Sequence, residues 1–218
     1  MPVHHPEDVH LLDYADGAAS PSLELLIATH LSLCPACREQ VAMLEAVGGS
    51  LLEATAPAGG EDGDGLDRLL ARLDGPPPPP PRPARRLSGR PGAALPQPLA
   101  DHLAGLGGIT WRRVTDGLSW MELPGGADGE KLKLLRVAAG APMPWHTHLG
   151  SELTLVLTGA FRDGDQVFRR GDLCLADTDT DHSPVAEPGE DCICLAYTDA
   201  PLRLTGPIGR LLNLFLRY

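Results

Sequence analysis

Two groups of metal-binding side chains stand out in the 218-residue chain. In "THLSLCPACREQ", residues 29–40, His30, Cys34 and Cys37 follow one another at intervals of four and three. Imidazole and thiolate at this spacing suit zinc, and a fourth ligand closes a tetrahedral structural site. His4, His5 and His10, all on the N-terminal segment, are the histidines that can supply it. In "GAPMPWHTHLGSELTLVLTG", His146 and His148 alternate and Glu152 follows after a short break, while His182 stands further on in "GDLCLADTDTDH". On a strand His146 and His148 point to one face, so three histidines and a carboxylate can converge on a second divalent ion. Zinc is favoured there, and iron, nickel and manganese also suit the donor set. The plainer alternatives are a reduced thiol pair beside a core histidine in the first group and unconnected polar residues of a barrel interior in the second.

The elements that must position the first group read as helices. A helix is expected over Glu7 to Gly17, with Val9, Leu12 and Tyr14 inward. Ser20 can cap a second helix that opens on Pro21 and carries Leu23, Leu26, Ile27 and His30 at i, i+3, i+4, i+7. Pro35 cannot continue that helix but fits the first position of the next, which makes Cys34 an N-cap and puts Cys37 in the first turn. The positive end of that third helix favours thiolates. It runs on through Val41, Leu44, Val47 and Leu51. "LDRLLARL" gives a short fourth helix with Leu66, Leu69, Leu70 and Leu73 on one face, turned either to a partner or back onto its own bundle.

Residues 75–98 contain ten prolines and read as an extended, semi-rigid linker that spaces two domains. Beyond it, "KLKLLRV", "ELTLVLTG", "QVFRRGDLCLA" and "DCICLAY" are short runs separated by Gly, Pro and Asp turns, the pattern of a β-sandwich or barrel. The expected layout is α then β: a zinc-binding helical domain at 1–74, the Pro-rich linker at 75–98 and a β domain at 99–218. Cys192 and Cys194, two apart on one strand, share a face. They read as small apolar residues of the wall or, alternatively, as a redox pair. Cys174 reads as core and His102 as a surface residue. "GPIGRLLNLFLRY" at the carboxyl end carries Leu211, Leu212, Phe215 and Leu216 in helical spacing.

Composition removes several classes of function. The formal charge is −11, and residues 1–74 carry only Arg38, Arg68 and Arg72 as cations, so direct nucleic-acid binding is not expected. No apolar run reaches the roughly 20 residues that span a bilayer, and "MPVHHPEDVH" lacks the character of a signal peptide. A cytoplasmic protein without membrane contact is expected. Five cysteines in a pair, a singleton and a second pair suit thiols in a reducing compartment.

The pattern carried by His5, Tyr14, Ala15, Gly17, Ala28, Thr29, His30, Leu31, Leu33, Cys34 and Cys37 resembles the zinc-containing anti-sigma domain of the ChrR type. In that family the first zinc histidine lies 25 residues before the histidine of HxxxCxxC, which selects His5. Gly140, His146, His148, Glu152 and Gly159 reproduce the first motif of the cupin superfamily, and Gly171, Asp172 and His182 resemble the second. Arg169 and Ala186 depart from common residues of that second motif, neither at a ligand position. ChrR-type proteins join the two domains in this order. The resemblance implies a zinc site at His5, His30, Cys34 and Cys37, and a cupin metal at His146, His148, Glu152 and His182. It further implies 1:1 sequestration of an extracytoplasmic-function sigma factor away from RNA polymerase, with no catalysis. The cupin would sense an oxidative or photo-oxidative stress and release the sigma factor. The alternative is a metal-dependent cupin oxygenase whose zinc bundle serves docking or oligomerisation.

Overall fold

Helices open the chain and strands follow, as expected. The computed structural model describes residues 1–56, 64–73, 75, 95–126 and 129–206. Helix α1 spans Asp8–Ala15. Its phase differs from expectation: Leu11 is fully buried, whereas Val9 and Leu12 are half exposed. Eight residues are barely two turns, too few for periodicity to fix the inward face. Helix α2 (Pro21–Leu31) begins as read, with the Leu23 N–H donating to Ser20 Oγ at 3.3 Å and Pro21 opening the helix. Cys34 takes an extended conformation before α3 (Pro35–Ala54), so the chain turns sharply between the histidine and the two cysteines. Helix α4 spans Gly65–Leu73. A fifth helix, α5 (Gln97–Gly105), was not expected from the sequence and crosses the anticipated boundary at residue 98.

The strands are β1 (Arg112–Arg113), β2 (Leu118–Leu123), β3 (Lys131–Val137), β4 (His146–His148), β5 (Glu152–Thr158), β6 (Ala160–Asp163), β7 (Gln166–Arg169), β8 (Leu173–Ala176), β9 (Asp181–His182), β10 (Val185–Ala186), β11 (Cys192–Thr198) and β12 (Leu202–Leu204). One six-stranded sheet has the order β1-β2-β3-β11-β5-β8, and two three-stranded sheets have the orders β10-β6-β7 and β12-β4-β9. Side chains from all three sheets line one cavity. Gly159, the last residue of the first motif, joins β5 to β6 at φ +67°, where an added Cβ would lie 2.7 Å from the Asp191 carbonyl oxygen. A side chain there would push β6 away from the wall.

The central strands do not read as clean alternation because both faces of the large sheet are buried. Leu135, Val137, Thr154, Cys192, Cys194 and Ala196 face the cavity. Leu132, Leu134, Leu153, Leu155, Leu157 and Leu195 face the other way and form one core with Leu11, Leu26 and Ile27 of the helices and Leu99 and Leu103 of α5. At about 1.5–3 kcal/mol for each buried leucine, exposing those six would cost an amount comparable with the whole stability of a domain, about 5–15 kcal/mol. The bundle therefore sits on the back of the barrel, and the expected spacing apart of two domains does not occur. Linker residues 76–94 and the carboxyl-terminal run from 207 lie outside the described residues. Among the described residues, no helix is long and apolar enough to cross a membrane.

Candidate metal centres

The break at Pro35 brings the first group together. His5 Nδ1 lies 3.4 Å from Cys34 Sγ and 3.3 Å from Cys37 Sγ, and His30 Nε2 lies 3.3 Å from Cys37 Sγ. With zinc–sulfur bonds of about 2.3 Å and zinc–nitrogen bonds of about 2.0–2.1 Å, a tetrahedral ion sets nitrogen and sulfur roughly 3.5 Å apart. The observed edges fit that tetrahedron. His30, Cys34 and Cys37 are buried and His5 is exposed. His30 Nδ1 faces the Gly171 carbonyl oxygen at 3.0 Å. A carbonyl only accepts, so the proton sits on Nδ1 and Nε2 is free as a ligand. Burial lowers the His30 pKa to about 4, keeping the ring neutral. Burial first, then the neighbouring Cys34, raises the Cys37 thiol to about 12. Such a thiol ionises near neutrality only with a cation beside it, which is what a shared zinc supplies. Of the three open candidates for fourth ligand, His5 converges on the cluster. His4 lies against Phe168 and Asp172 instead.

The second group lies inside the barrel. β4 and β9 pair with His146 opposite His182. His182 Nε2 is 3.1 Å from both His146 Nε2 and His148 Nε2. His146 Nδ1 donates to the Pro144 carbonyl oxygen at 2.7 Å, and His182 Nδ1 donates to Asp163 Oδ2 at 2.6 Å. Those bonds put the protons on Nδ1 and leave bare nitrogen lone pairs facing one another, an arrangement that a shared cation resolves. Burial lowers the pKa of His146 and of His148, so both are neutral donors.

Glu152 is the one expected ligand outside this cluster. The three histidines alone bring their ligand atoms within 4.8 Å of one another. Glu152 Oε1 accepts from Thr154 Oγ1 at 2.8 Å, and Oε2 lies 3.7 Å from His148 Nδ1. Its carboxylate lines the same cavity but stands beside the back of His148. Sequence reasoning gives no sign of Asp163, which falls among the Gly and Asp residues at a turn between two strands. A carboxylate on β6 and its histidine on β9 leave no local spacing signal.

The cavity has a volume of about 110 Å³ and reaches His146, His182, Cys174, Cys192 and Cys194 along mostly apolar walls. Cys192 and Cys194 are buried on one face, as their spacing implied, with the sulfurs 3.5 Å apart. Their mutual hydrogen bond, then burial, raises the Cys194 thiol well above its ordinary range. Cys174 is core as expected, and burial raises it to about 12. His102 is not a surface residue: it is half-buried on α5 with Nε2 enclosed.

Similarity to known proteins follows both halves. The family described as ChrR Cupin-like domain matches residues 100–200. The anti-sigma-E factor ChrR of Cereibacter sphaeroides is 45% identical over 216 residues, covering 98% of this chain and 98% of that protein. A crystal structure of Rhodobacter sphaeroides SigE in complex with the anti-sigma ChrR matches with a TM-score of 0.76 and 42% identity, over 91% of this chain and 99% of the matched one. Because that match spans nearly the whole chain, the helices that carry the thiols and the barrel that carries the histidine trio alike, this chain belongs to the ChrR family of anti-sigma factors.

Proposed function

We propose that this chain is a cytoplasmic anti-sigma factor that holds one extracytoplasmic-function sigma factor and keeps it from RNA polymerase. The observation that carries the reading is the apolar surface left over once the bundle has packed on the barrel. Met43, Val47, Leu51 and Leu52 of α3 are 61–74% exposed, and Leu66, Leu69, Leu70 and Leu73 of α4 are 48–72% exposed. A surface this rich in exposed leucine is a mark of partner binding, and the matched structure has a sigma factor as partner of its relative.

Zinc held by His5, His30, Cys34 and Cys37 would fix the crossing of α2 and α3 and the entry to α1, and so shape that surface. His146, His148 and His182 would hold a second divalent ion, with Glu152 at its margin. The cavity beside it, with Cys192 and Cys194 as its paired oxidisable groups, is the proposed receiver of an oxidative or photo-oxidative signal. Such a signal releases the sigma factor only if it favours the released arrangement over the bound one.

The test is a double substitution, Val47→Asp with Leu51→Asp, in the full chain. Both side chains are exposed, so folding and zinc content are expected to stay within ordinary surface-substitution limits of about 0.5 kcal/mol. Sigma-factor affinity is expected to fall by about a hundredfold or more, the loss of a central apolar contact. Undiminished capture would refute the surface assigned here. The open cavity favours a second reading, a cupin oxygenase with the zinc bundle as docking module. Steady turnover of a small substrate by iron-loaded protein, abolished in His148→Ala, would establish it.

A further inference from the structure

The zinc site is completed from the barrel. His30 donates from Nδ1 to the Gly171 carbonyl oxygen at 3.0 Å. His5 lies on an irregular segment before α1, and the residues just ahead of it are tied to the same turn. Val3 N–H and His4 N–H donate to Asp172 Oδ1 at 2.7 and 3.2 Å, and Leu173 N–H donates to the His4 carbonyl oxygen at 3.1 Å. Asp172 Oδ2 accepts from Arg169 N–H at 2.8 Å, so one carboxylate that is only 3% exposed receives three backbone donors. Gly171, at φ +90°, nests against Pro2 and Leu33; an added Cβ would meet Pro2 Cγ at 2.7 Å. The turn between β7 and β8 thus touches both histidine arms of the zinc tetrahedron.

We infer that this turn is the outer shell of the zinc site, with Asp172 as the positioning residue for His5 and Gly171 for His30, so that zinc retention depends on the barrel remaining seated against the bundle. The inference rests on zinc occupying His5, His30, Cys34 and Cys37. It adds a route between the two halves. Cys174 lines the cavity on β8, whose first residue, Leu173, directly follows Asp172 and donates to the His4 carbonyl oxygen, so a displacement of β8 caused within the cavity pulls directly on the backbone that carries His5. A bundle whose metal ligands were held only by its own helices would offer no such handle.

The experiment uses the full chain loaded with cobalt, whose thiolate charge-transfer absorbance reports the Cys34 and Cys37 site, and follows its loss to excess chelator. Asp172→Ala is expected to lose that band about 10- to 100-fold faster than the parent, the range for removal of an outer-shell partner. Cobalt at the histidine trio is expected to leave at the parent rate. Asp172→Asn keeps an acceptor for Val3 and His4 and should fall between the two. Val3→Pro removes one donor from the helical side without altering the barrel, and should speed release in the same direction even if Asp172→Ala fails to fold. Release within about twofold of the parent in both Asp172→Ala and Val3→Pro would overturn the inference, as would equal acceleration at both metal sites, which would signify general loosening. A parent protein with no thiolate–cobalt band would overturn the zinc reading itself and the inference with it.

Discussion

The two metal centres use the same chemistry of orientation to opposite ends. Three of the imidazoles commit the Nδ1 proton to a backbone or carboxylate oxygen, so that Nε2 faces the site: Gly171 serves His30, Pro144 serves His146 and Asp163 serves His182, whereas His5 turns Nδ1 itself to the thiols. The difference lies in what completes the set. In the bundle, Cys34, Cys37, His5 and His30 supply four ligand atoms, a number that would fill a tetrahedral zinc and leave no position for anything else. In the barrel, three histidines gather at one side of an apolar cavity, with Glu152 behind one of them. A closed site holds a fold together, and an open one can meet a ligand. The set in the helical half thus suits a structural ion, whereas the set in the barrel has a cavity on one side.

The largest effect that tests this contrast is Cys34→Ser or Cys37→Ser. Structural zinc in small domains contributes folding free energy outright, about 10–16 kcal/mol of apparent binding in isolated fingers. Either substitution is expected to release the bundle zinc, unfold α1 to α3 locally and abolish sigma-factor capture, read by metal content, helical circular dichroism and co-purification. Retained nanomolar capture by either mutant would mean that the tetrahedron is not structural.

His182→Ala is the counterpart in the barrel. It removes a ligand where outer-shell changes alone cost about 10- to 100-fold, so affinity for the second metal is expected to fall by more than about a hundredfold. Bundle zinc and sigma-factor capture should survive, because the barrel's leucine face still packs on α2 and α5. Loss of capture in this variant would show that the two centres are not separable in the way their geometry implies.

Local features were legible in the sequence where the physics is local. Ser20, Pro21 and Pro35 announced the ends of α2 and α3, because caps and missing amide donors act within a turn. The thiol and histidine spacings announced both metal groups. What escaped depends on surfaces meeting. The packing of the bundle on the barrel was hidden because leucines of β3, β5 and β11 read equally well as the interior of a lone sandwich. Helix α5 was obscured by the prolines around it, although Leu99 and Leu103 carry its buried face. Val9 and Leu12 were assigned inward because Leu11, the residue actually buried, sits beside them in too short a helix. Asp163 and Gly171 lie 19 and 141 residues from the histidines they orient, beyond any spacing rule.

Glu152 decides how far the contrast between closed and open can be pressed. Motif spacing makes it a fourth ligand, whereas its position makes it a neighbour of His148, held through Oε1 by Thr154 with Oε2 3.7 Å from His148 Nδ1. A carboxylate on the far side of an imidazole raises the basicity of the coordinating nitrogen and steadies the ring without occupying a place on the metal. For that role, Glu152→Gln, which removes the charge beside His148 and keeps the size of the side chain, is expected to weaken metal binding by about tenfold. Measured by chelator competition beside His182→Ala, a loss of that size leaves the barrel site with three protein ligands and its cavity side free. A loss equal to that of His182→Ala would bring the carboxylate onto the metal when the ion is bound, and the barrel site would then have four protein ligands, as the bundle site has.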